Sequence, residues 1–317
     1  MTIIYVAGLI SLLLTLILGK PYIEFLKHHF NGQYIYDRAP ENHSKKQGTP
    51  TMGGIIIVDS ILVAVILSFI MMKNLTTTGF IAICVLIIFA GIGFYDDFQK
   101  NKHHENKGLS PKGKLFLQII GALLPSLYMV HTGATSIAGF DFGAWYLFIA
   151  GFIIVGASNA VNLTDGLDGL ASGLCFLSFL TCAIILGAKG QIELSIIAAS
   201  AACACLGFLY YNLHPAKVFM GDTGSLALGA LLGTLGVLGK FELLLIPICL
   251  VFVIETLSVV IQVTSFKLTG KRVFKMSPIH HHFELIDWNE TKIVKVFWIV
   301  GLLSCLIALG VFYGFFK

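Results

Sequence analysis

Charged residues are scarce in this chain. Asp, Glu, Lys and Arg make up 12% of its 317 residues, hydrophobic residues make up 56%, and the mean hydropathy is +0.87. Because a soluble globular domain carries about 25% charged residues, this composition excludes one. The longest polar stretch, residues 20–51, is too short for a soluble domain, and no internal repeat of domain size is present. The sequence therefore predicts one integral membrane domain over residues 1–317.

The chain also lacks a cysteine pattern for disulfides or metal binding. Its seven cysteines all fall inside apolar runs, and the only close pair is Cys203-x-Cys205. Free cysteines of this kind usually act as small buried hydrophobic residues. We therefore assign them no chemistry.

Ten apolar runs are long enough to approach the roughly 20 residues that a spanning helix needs. The first has no basic residue before it and no convincing cleavage site, so we interpret it as a retained span rather than a signal peptide. An all-α polytopic membrane protein follows. The predicted spans are residues 1–19, 52–72, 77–95, 114–130, 142–158, 168–187, 191–212, 225–238, 243–266 and 296–316.

Basic residues are distributed unevenly between the two sides. Seventeen of the 21 Lys and Arg residues lie in alternate loops: five in 20–46, five in 100–114, one at Lys217 and six in 267–295. The positive-inside rule then places both termini outside and these loops in the cytoplasm. Most of the loop Asp, Asn and His residues lie on the same side, so we expect a cytoplasmic active-site cleft. The short loop 131–141 on the other side predicts a hairpin.

The third predicted span ends in Phe94-Tyr95-Asp96-Asp97-Phe98, and the loop that follows contains Lys100, Lys102, Lys107, Lys112 and Lys114. Two adjacent carboxylates are costly to desolvate together, so they require a cation, a shared proton or simple solvation. Beside a basic loop they indicate phosphate chemistry, with a carboxylate that accepts a proton or contacts magnesium. A solvated helix end with interfacial lysines is the alternative.

The loop Ser158–Leu170 contains two amides, two hydroxyls, two carboxylates and two glycines between apolar spans. Glycines let backbone amides approach a ligand closely. The spacing is not that of an EF-hand. Capping and turn formation are the alternative role for these residues, but the loop has no Lys or Arg to balance its acids.

The segment Asn212–Ser225 contains Phe219, Asp222 and two glycines. A helix that begins near Thr223 would direct its free amides at an anion, with Asp222 placed to hold a hard cation against that anion. Phe219 offers a flat face for a base, although an interfacial aromatic is an equal alternative.

The last basic loop contains Ser277-Pro278-Ile279-His280-His281-His282-Phe283-Glu284-Leu285. Three consecutive histidines cannot all face one metal from a regular helix, and zinc lacks a convincing fourth ligand. We favour one or two of them as hydrogen-bond donors to phosphate.

Together with Gly48-Thr49-Pro50-Thr51-Met52-Gly53-Gly54, these four blocks closely resemble the polyprenyl-phosphate N-acetylhexosamine-1-phosphate transferase superfamily. The resemblance covers residues 44 to 290, and its first and last blocks are similar to the phospho-MurNAc-pentapeptide transferase branch. It implies a ten-helix membrane protein of the bacterial cell membrane. The implied donor is UDP-MurNAc-pentapeptide, the acceptor undecaprenyl phosphate, the products lipid I and UMP, and the cofactor Mg²⁺.

The resemblance also implies roles for residues. Asp222 would be the magnesium ligand, Asp96 the base for the lipid phosphate and Asp97 its partner, with His281 the fourth residue assigned to catalysis. Direct attack is favoured over an aspartyl-phosphate intermediate. Residues implied to bind the nucleoside, the diphosphate or other phosphates are Lys46, Thr51, Lys100, Lys112, Asn162, Asp165, Gly166, Leu167, Asp168, Asn212, Phe219 and His280.

Two rival functions stay open at this point. A sister enzyme could transfer GlcNAc-1-phosphate to the same lipid, although the histidine block disfavours it. An ion-coupled transporter is suggested by Asp59 and Glu255, which fall inside predicted spans. Transporters often show inverted repeats, and none is visible here. A homodimer is compatible with the sequence, and we expect no nucleic-acid partner.

Overall fold

The computed structural model describes residues 2–29, 48–103 and 108–315. Ten helices in this part of the chain are long and apolar enough to cross a membrane, which confirms the predicted count. They are α1 (Thr2–His29), α2 (Gly54–Met72), α3 (Thr77–His103), α4 (Pro111–His131), α5 (Tyr146–Thr164), α6 (Leu170–Ala188), α7 (Ile192–Asn212), α8 (Gly221–Gly239), α10 (Leu250–Thr269) and α12 (Glu290–Phe315). Two short helices, α9 (Leu245–Ile248) and α11 (Ile279–Glu284), flank α10.

Helix α8 forms the centre of the bundle. In its spanning window 89% of the residues are buried, against 28% in α10 and 33% in α4. Glycines bring its neighbours into backbone contact: a Cβ on Gly54 of α2 would lie 2.2 Å from the Gly224 nitrogen, and one on Gly93 of α3 would lie 2.2 Å from the Asp222 carbonyl oxygen. Small residues permit such close approach between membrane helices.

Several helix ends differ from the predicted spans because polar residues continue the helices. Helix α3 was predicted to end at residue 95 but continues to His103, and the Asp96–Lys100 contact between residues four apart supports the extra turns. Helix α1 continues to His29, across Pro21. Helix α8 begins at Gly221, where φ is +74° and glycine is favoured.

The predicted span 243–266 is not one continuous helix. A break at Cys249 separates α9 from α10, two residues after Pro247. Side chains from neighbouring helices bind the carbonyls at the break: Ser178 Oγ donates to Ile248 O at 3.0 Å, and Ser304 Oγ donates to Pro247 O. The backbone carbonyls at the break are therefore hydrogen-bonded by side chains of other helices.

The predicted hairpin is confirmed at the opposite end of the bundle from the Asp96–Asp97 pair. Strand β1 (Ser136–Ile137) pairs antiparallel with β2 (Phe140–Asp141), with Ser136 opposite Asp141. Nearby, Tyr146 and Lys240 both contact the buried Glu242. Lys240 Nζ lies 2.5 Å from Glu242 Oε1 and 4.4 Å from the Tyr146 ring centroid, and the Tyr146 hydroxyl donates to the same Glu242 oxygen. We call Tyr146, Lys240 and Glu242 the hairpin-side cluster.

Candidate active site

Three carboxylates converge where α3 meets the beginning of α8. Oxygens of Asp96, Asp97 and Asp222 lie within 4.8 Å of one another. The convergence depends on Gly93, which lets α3 contact the α8 backbone one turn before the acid pair. Asp96 and Asp97 are buried and Asp222 is half-buried. Carboxylate oxygens are the ligands that hard divalent cations prefer, so this group could hold a metal ion.

Two lysines bind the same carboxylates. Lys100 Nζ lies 2.6 Å from Asp96 Oδ2 and 3.1 Å from Asp222 Oδ2, and Lys114 Nζ of α4 lies 3.1 Å and 2.5 Å from the same two oxygens. Three carboxylates and two ammonium groups carry a net charge of −1 when all are ionised. We call these five residues the acid–lysine site.

Asp97 is bound by the N-terminus of α8. The backbone N–H groups of Asp222 and Thr223 donate to its two oxygens at 3.1 and 2.9 Å, and the Thr223 hydroxyl donates at 2.7 Å. The amides at this helix start therefore bind an internal carboxylate, a favourable position for negative charge. Asp97 thus fixes α8, and with it Asp222, against α3.

The second oxygen of Asp222 is oriented from α5. Asn162 Nδ2 donates to Asp222 Oδ1 at 2.9 Å and lies 2.9 Å from Ser225 Oγ, which in turn donates to the Gly221 carbonyl. Asp96 is held in a similar way, because the Leu109 amide donates to its Oδ1 at 2.8 Å. Both carboxylates are therefore held in fixed orientations.

The loop after α5 lies beside this site. Asp165 has its pKa raised well above the usual range, chiefly because it is buried and also because the charges of Asp222 and Asp97 oppose its ionisation. Gly166 is half-buried and Leu167 is buried. The sequence-predicted residues Asp96, Asp97, Lys100, Asn162, Asp165 and Asp222 are thus brought together.

Asp168 and Asn212 hold loops together. Asp168 Oδ2 lies 3.1 Å from His214 Nδ1 and accepts from the Ala216 amide at 3.0 Å, while its own amide donates to Glu290. Asn212 accepts from the Gly169 amide at 3.1 Å and donates to the Val218 carbonyl at 3.0 Å. These bonds fasten the loop after α5 to the segment that leads into α8.

Thr51 and Phe219 lie on two segments that pair along their backbones. The Phe219 amide donates to Pro50 O at 2.9 Å, and the Gly53 amide donates to Phe219 O at 2.9 Å. The Thr51 hydroxyl faces Gly221, where a Cβ would lie 2.8 Å from its Oγ1. The Phe219 side chain is half-buried.

The histidine block meets the loop after α5 rather than the carboxylates. His280 is buried, with its Nε2 facing Gly166 and its Nδ1 3.1 Å from Glu255 Oε1. His281 Nδ1 lies 2.6 Å from Glu284 Oε2. Of the two acids that suggested a transporter, Glu255 therefore has a buried partner, and Asp59 is exposed on α2.

From the sequence, Lys114 was named among the lysines of the basic loop, but the substrate-binding role was assigned to Lys112, which is exposed. Residues two apart point to nearly opposite sides of a helix, so only one of them can face α3. Lys114 shares its face with Gln118, which is buried and exchanges hydrogen bonds with Asn159. The signal available in the sequence was the spacing of Lys114 and Gln118, two polar residues four positions apart on one face of an apolar helix. Lys46 lies outside the described residues.

The sequence is similar to known families and proteins. A family model described as glycosyl transferase family 4 matches residues 79–240, and one described as phospho-N-acetylmuramoyl-pentapeptide-transferase signature 1 matches residues 46–58. The chain is 46% identical over 310 residues to the phospho-N-acetylmuramoyl-pentapeptide-transferase of Geobacillus sp. (strain WCH70), covering 96% of each chain. It is 47% identical to that of Halalkalibacterium halodurans, covering 95% of each chain, and 45% identical to that of Bacillus subtilis (strain 168), covering 96% of this chain and 95% of the relative.

Proposed function

Since the chain belongs to the phospho-N-acetylmuramoyl-pentapeptide transferases of glycosyl transferase family 4, we propose that it acts on UDP-MurNAc-pentapeptide and undecaprenyl phosphate. In this reaction an oxygen of the lipid phosphate attacks the phosphorus that carries the sugar. The bond from that phosphorus to the bridging oxygen breaks, UMP leaves, and lipid I forms. The protein is a multi-pass membrane transferase.

The observation that carries the proposal is the charge balance of the acid–lysine site. Phosphoryl transfer between two anionic substrates is catalysed mainly by positioning and by neutralisation of charge. The site has two ammonium groups within 3.1 Å of carboxylates from two helices, and its net charge is −1 when all five groups are ionised. A divalent cation would make the net charge positive and suited to a diphosphate.

The residues present fit Mg²⁺. The donor set is oxygen from three carboxylates, with the Asn162 amide beside Asp222, and Mg²⁺ in such sites is held by one or two carboxylates together with substrate phosphates. We assign Asp222 as the ligand and Asn162 as the group that orients it. Bound there, the ion would neutralise the diphosphate, and Lys100 and Lys114, displaced from the carboxylates, would turn to phosphate oxygens.

Asp96 and Asp97 receive different roles. Asp96 is the candidate base, since a carboxylate released by Lys100 can accept a proton from the lipid phosphate. Asp97 has both oxygens bound by the α8 N-terminus, so we assign it to positioning Asp222. Direct attack fits this arrangement better than an aspartyl-phosphate at Asp97, whose oxygens are already engaged.

The donor nucleoside is assigned to the loop after α5. The Gly166 and Leu167 backbone would hydrogen-bond uracil, and Phe219 would stack on it. Asp165, Asp168 and Asn212 would shape this pocket, the last two through the loop bonds described above. Five further residues are assigned to positions near the phosphates and the donor: Lys46, Thr51, Lys112, His280 and His281.

We propose that the acid–lysine site faces the cytoplasm, on the side of the membrane where the basic loops lie. The acid–lysine site lies at the end of the bundle that carries Lys100, Lys114 and Lys217, so the positive-inside rule places it in the cytoplasm. Cysteine labelling in sealed right-side-out vesicles tests this. We expect a cysteine at residue 138 to react with an impermeant reagent and one at residue 271 to be protected; the reverse pattern would invert the orientation.

The test of activity is UMP release by the purified protein in detergent. We expect release only when UDP-MurNAc-pentapeptide, undecaprenyl phosphate and Mg²⁺ are all present. Release with UDP-GlcNAc in place of the muramoyl donor would instead identify the sister GlcNAc-1-phosphate transferase. No release with either donor would reject the transferase proposal, and an ion-coupled transporter would then be tested in proteoliposomes.

A further inference from the structure

Glu255 is a carboxylate buried inside a membrane-spanning helix. It is the sixth residue of α10, and its relative exposure is 0%. An ionisable group at this depth is expensive and usually has a functional partner. The partner here is His280 of α11, which is also fully buried and whose Nδ1 lies 3.1 Å from Glu255 Oε1.

The contact with Glu255 determines which way the imidazole faces. A carboxylate accepts the Nδ1–H, and the opposite ring nitrogen then points away from α10. Nε2 is buried without a hydrogen-bond partner among the described residues, and it faces Gly166: a Cβ built on Gly166 would lie 2.4 Å from it. His280 therefore packs directly against a backbone position where no side chain fits.

The connection between α10 and α11 is also hydrogen-bonded to α10. Gln262, two turns after Glu255, accepts from the Val273 and Phe274 amides at 3.0 and 2.9 Å and donates to the Phe274 carbonyl at 2.9 Å. The chain between α10 and α11 is thus held at both ends, by Gln262 at the start and by Glu255 at His280. Helix α10 thereby sets the position of a side chain that contacts a loop on α5.

We infer that Glu255 is a positioning residue for the uridine pocket: through His280 it determines where the Gly166 backbone lies. The inference rests on the proposed function, in which the Gly166 and Leu167 backbone binds the donor nucleoside. Glu255 itself contacts neither substrate. Its loss should weaken binding of the uridine nucleotide and leave the handling of the lipid phosphate unchanged.

The first test compares Glu255→Ala, Glu255→Gln and the matched control Thr256→Val, whose wild-type hydroxyl donates only to the Phe252 carbonyl of its own helix. UMP affinity is measured by calorimetry, and KM for each substrate by UMP release. We expect Glu255→Ala to weaken UMP binding and raise the donor KM about tenfold, or ~1.4 kcal/mol, with an unchanged KM for undecaprenyl phosphate. Glu255→Gln, whose carbonyl still accepts from Nδ1, should recover most of the loss.

Equal loss in the KM of both substrates, or loss in kcat alone, would overturn the inference. So would a Thr256→Val variant that binds UMP as weakly as Glu255→Ala. Failure of the wild-type protein to release UMP would instead reject the proposed function, so the two failures are distinguishable.

A double-mutant cycle tests the pathway without depending on the size of either single effect. Gly166→Ala forces a methyl group against a fixed His280, whereas in the Glu255→Ala background the imidazole is free to move away. We expect the loss of UMP affinity caused by Gly166→Ala to be at least about threefold smaller in that background, a coupling of the size found for residues that share a partner. Additive losses would show that Glu255 does not act on Gly166 and would overturn the inference.

Discussion

The two ends of the bundle hold the same kind of contact in different surroundings. In the acid–lysine site Lys114 Nζ lies 2.5 Å from Asp222, and in the hairpin-side cluster Lys240 Nζ lies 2.5 Å from Glu242. In direct contact, the hairpin-side cluster pairs one ammonium with one carboxylate, which also accepts from the Tyr146 hydroxyl. Lys189 lies close by and donates to the Lys240 carbonyl at 2.8 Å. The acid–lysine site places two ammonium groups among three carboxylates.

The ratio of ammonium groups to carboxylates in direct contact therefore distinguishes a structural contact from a candidate active site. A balanced buried pair has its charges satisfied, and removing one partner mainly costs stability. An unbalanced cluster holds like charges together at a cost in stability, and functional sites are where such arrangements concentrate. The pair distance alone does not distinguish the two ends, so substitutions at each should have opposite effects on activity and stability.

The largest expected effect is at Asp222. We predict that Asp222→Asn lowers turnover by about 10³-fold or more, the scale for losing one group that stabilises transition-state charge, while the protein still folds. UMP release at several Mg²⁺ concentrations measures this, with thermal unfolding as the check on folding. Turnover like that of the wild type at low Mg²⁺ would remove Asp222 from the metal site.

The next effect tests the lysines. We predict that Lys114→Met lowers kcat/KM about 100-fold, because an ammonium beside two of the carboxylates is lost where charge must be neutralised. Lys112→Met, two residues away and exposed, should lose at least tenfold less. The reverse order of the two variants would restore the assignment made from the sequence.

A smaller effect is expected at Phe219. Base stacking on an aromatic side chain is worth roughly 1–3 kcal/mol, so Phe219→Ala should weaken donor binding about tenfold and leave the KM for undecaprenyl phosphate unchanged. Phe140→Ala, in the exposed hairpin at the other end, is the matched aromatic control. An unchanged donor affinity would make Phe219 an interfacial aromatic.

The smallest effect on activity is expected at Glu242. Glu242→Gln leaves Lys240 without its carboxylate in a partly buried position, so we predict a loss of unfolding free energy of about 1–3 kcal/mol with kcat/KM within twofold of the wild type. Thermal unfolding and UMP release measure the two quantities. A tenfold loss of activity with unchanged stability would contradict the distinction between the two ends.

The number of spans could be predicted because it depends on the length of apolar runs. The acidic residues of the site could be predicted because a carboxylate at a membrane boundary is costly to desolvate and is seldom there without a function. The contacts between helices could not be predicted. In a bilayer both the lipid-facing and the core-facing sides are apolar, so hydrophobic periodicity does not identify neighbours. Small residues are the better signal, since α8 carries Gly224, Gly229, Gly233 and Gly236 and is the most buried span.

The same limit explains why the contacts at the site could not be predicted. The choice of Lys112 over Lys114 required knowing which face of α4 meets α3. The role of Asp97 required knowing that α8 begins beside α3, and the partner of Glu255 required the fold of the α10–α11 connection. Each depends on contacts between residues that are 18 or more positions apart, which a single sequence does not contain.

The backbone contacts at Gly54 and Gly93 also restrict how this protein can change under selection. A side chain at either position would meet main-chain atoms at 2.2 Å, and relief would move α2 or α3 away from the helix that carries Asp222. An inhibitor bound against the acid–lysine site would therefore face few escape mutations at these two positions. Resistant strains should instead carry substitutions at exposed side chains such as Lys112, which can change without moving a helix.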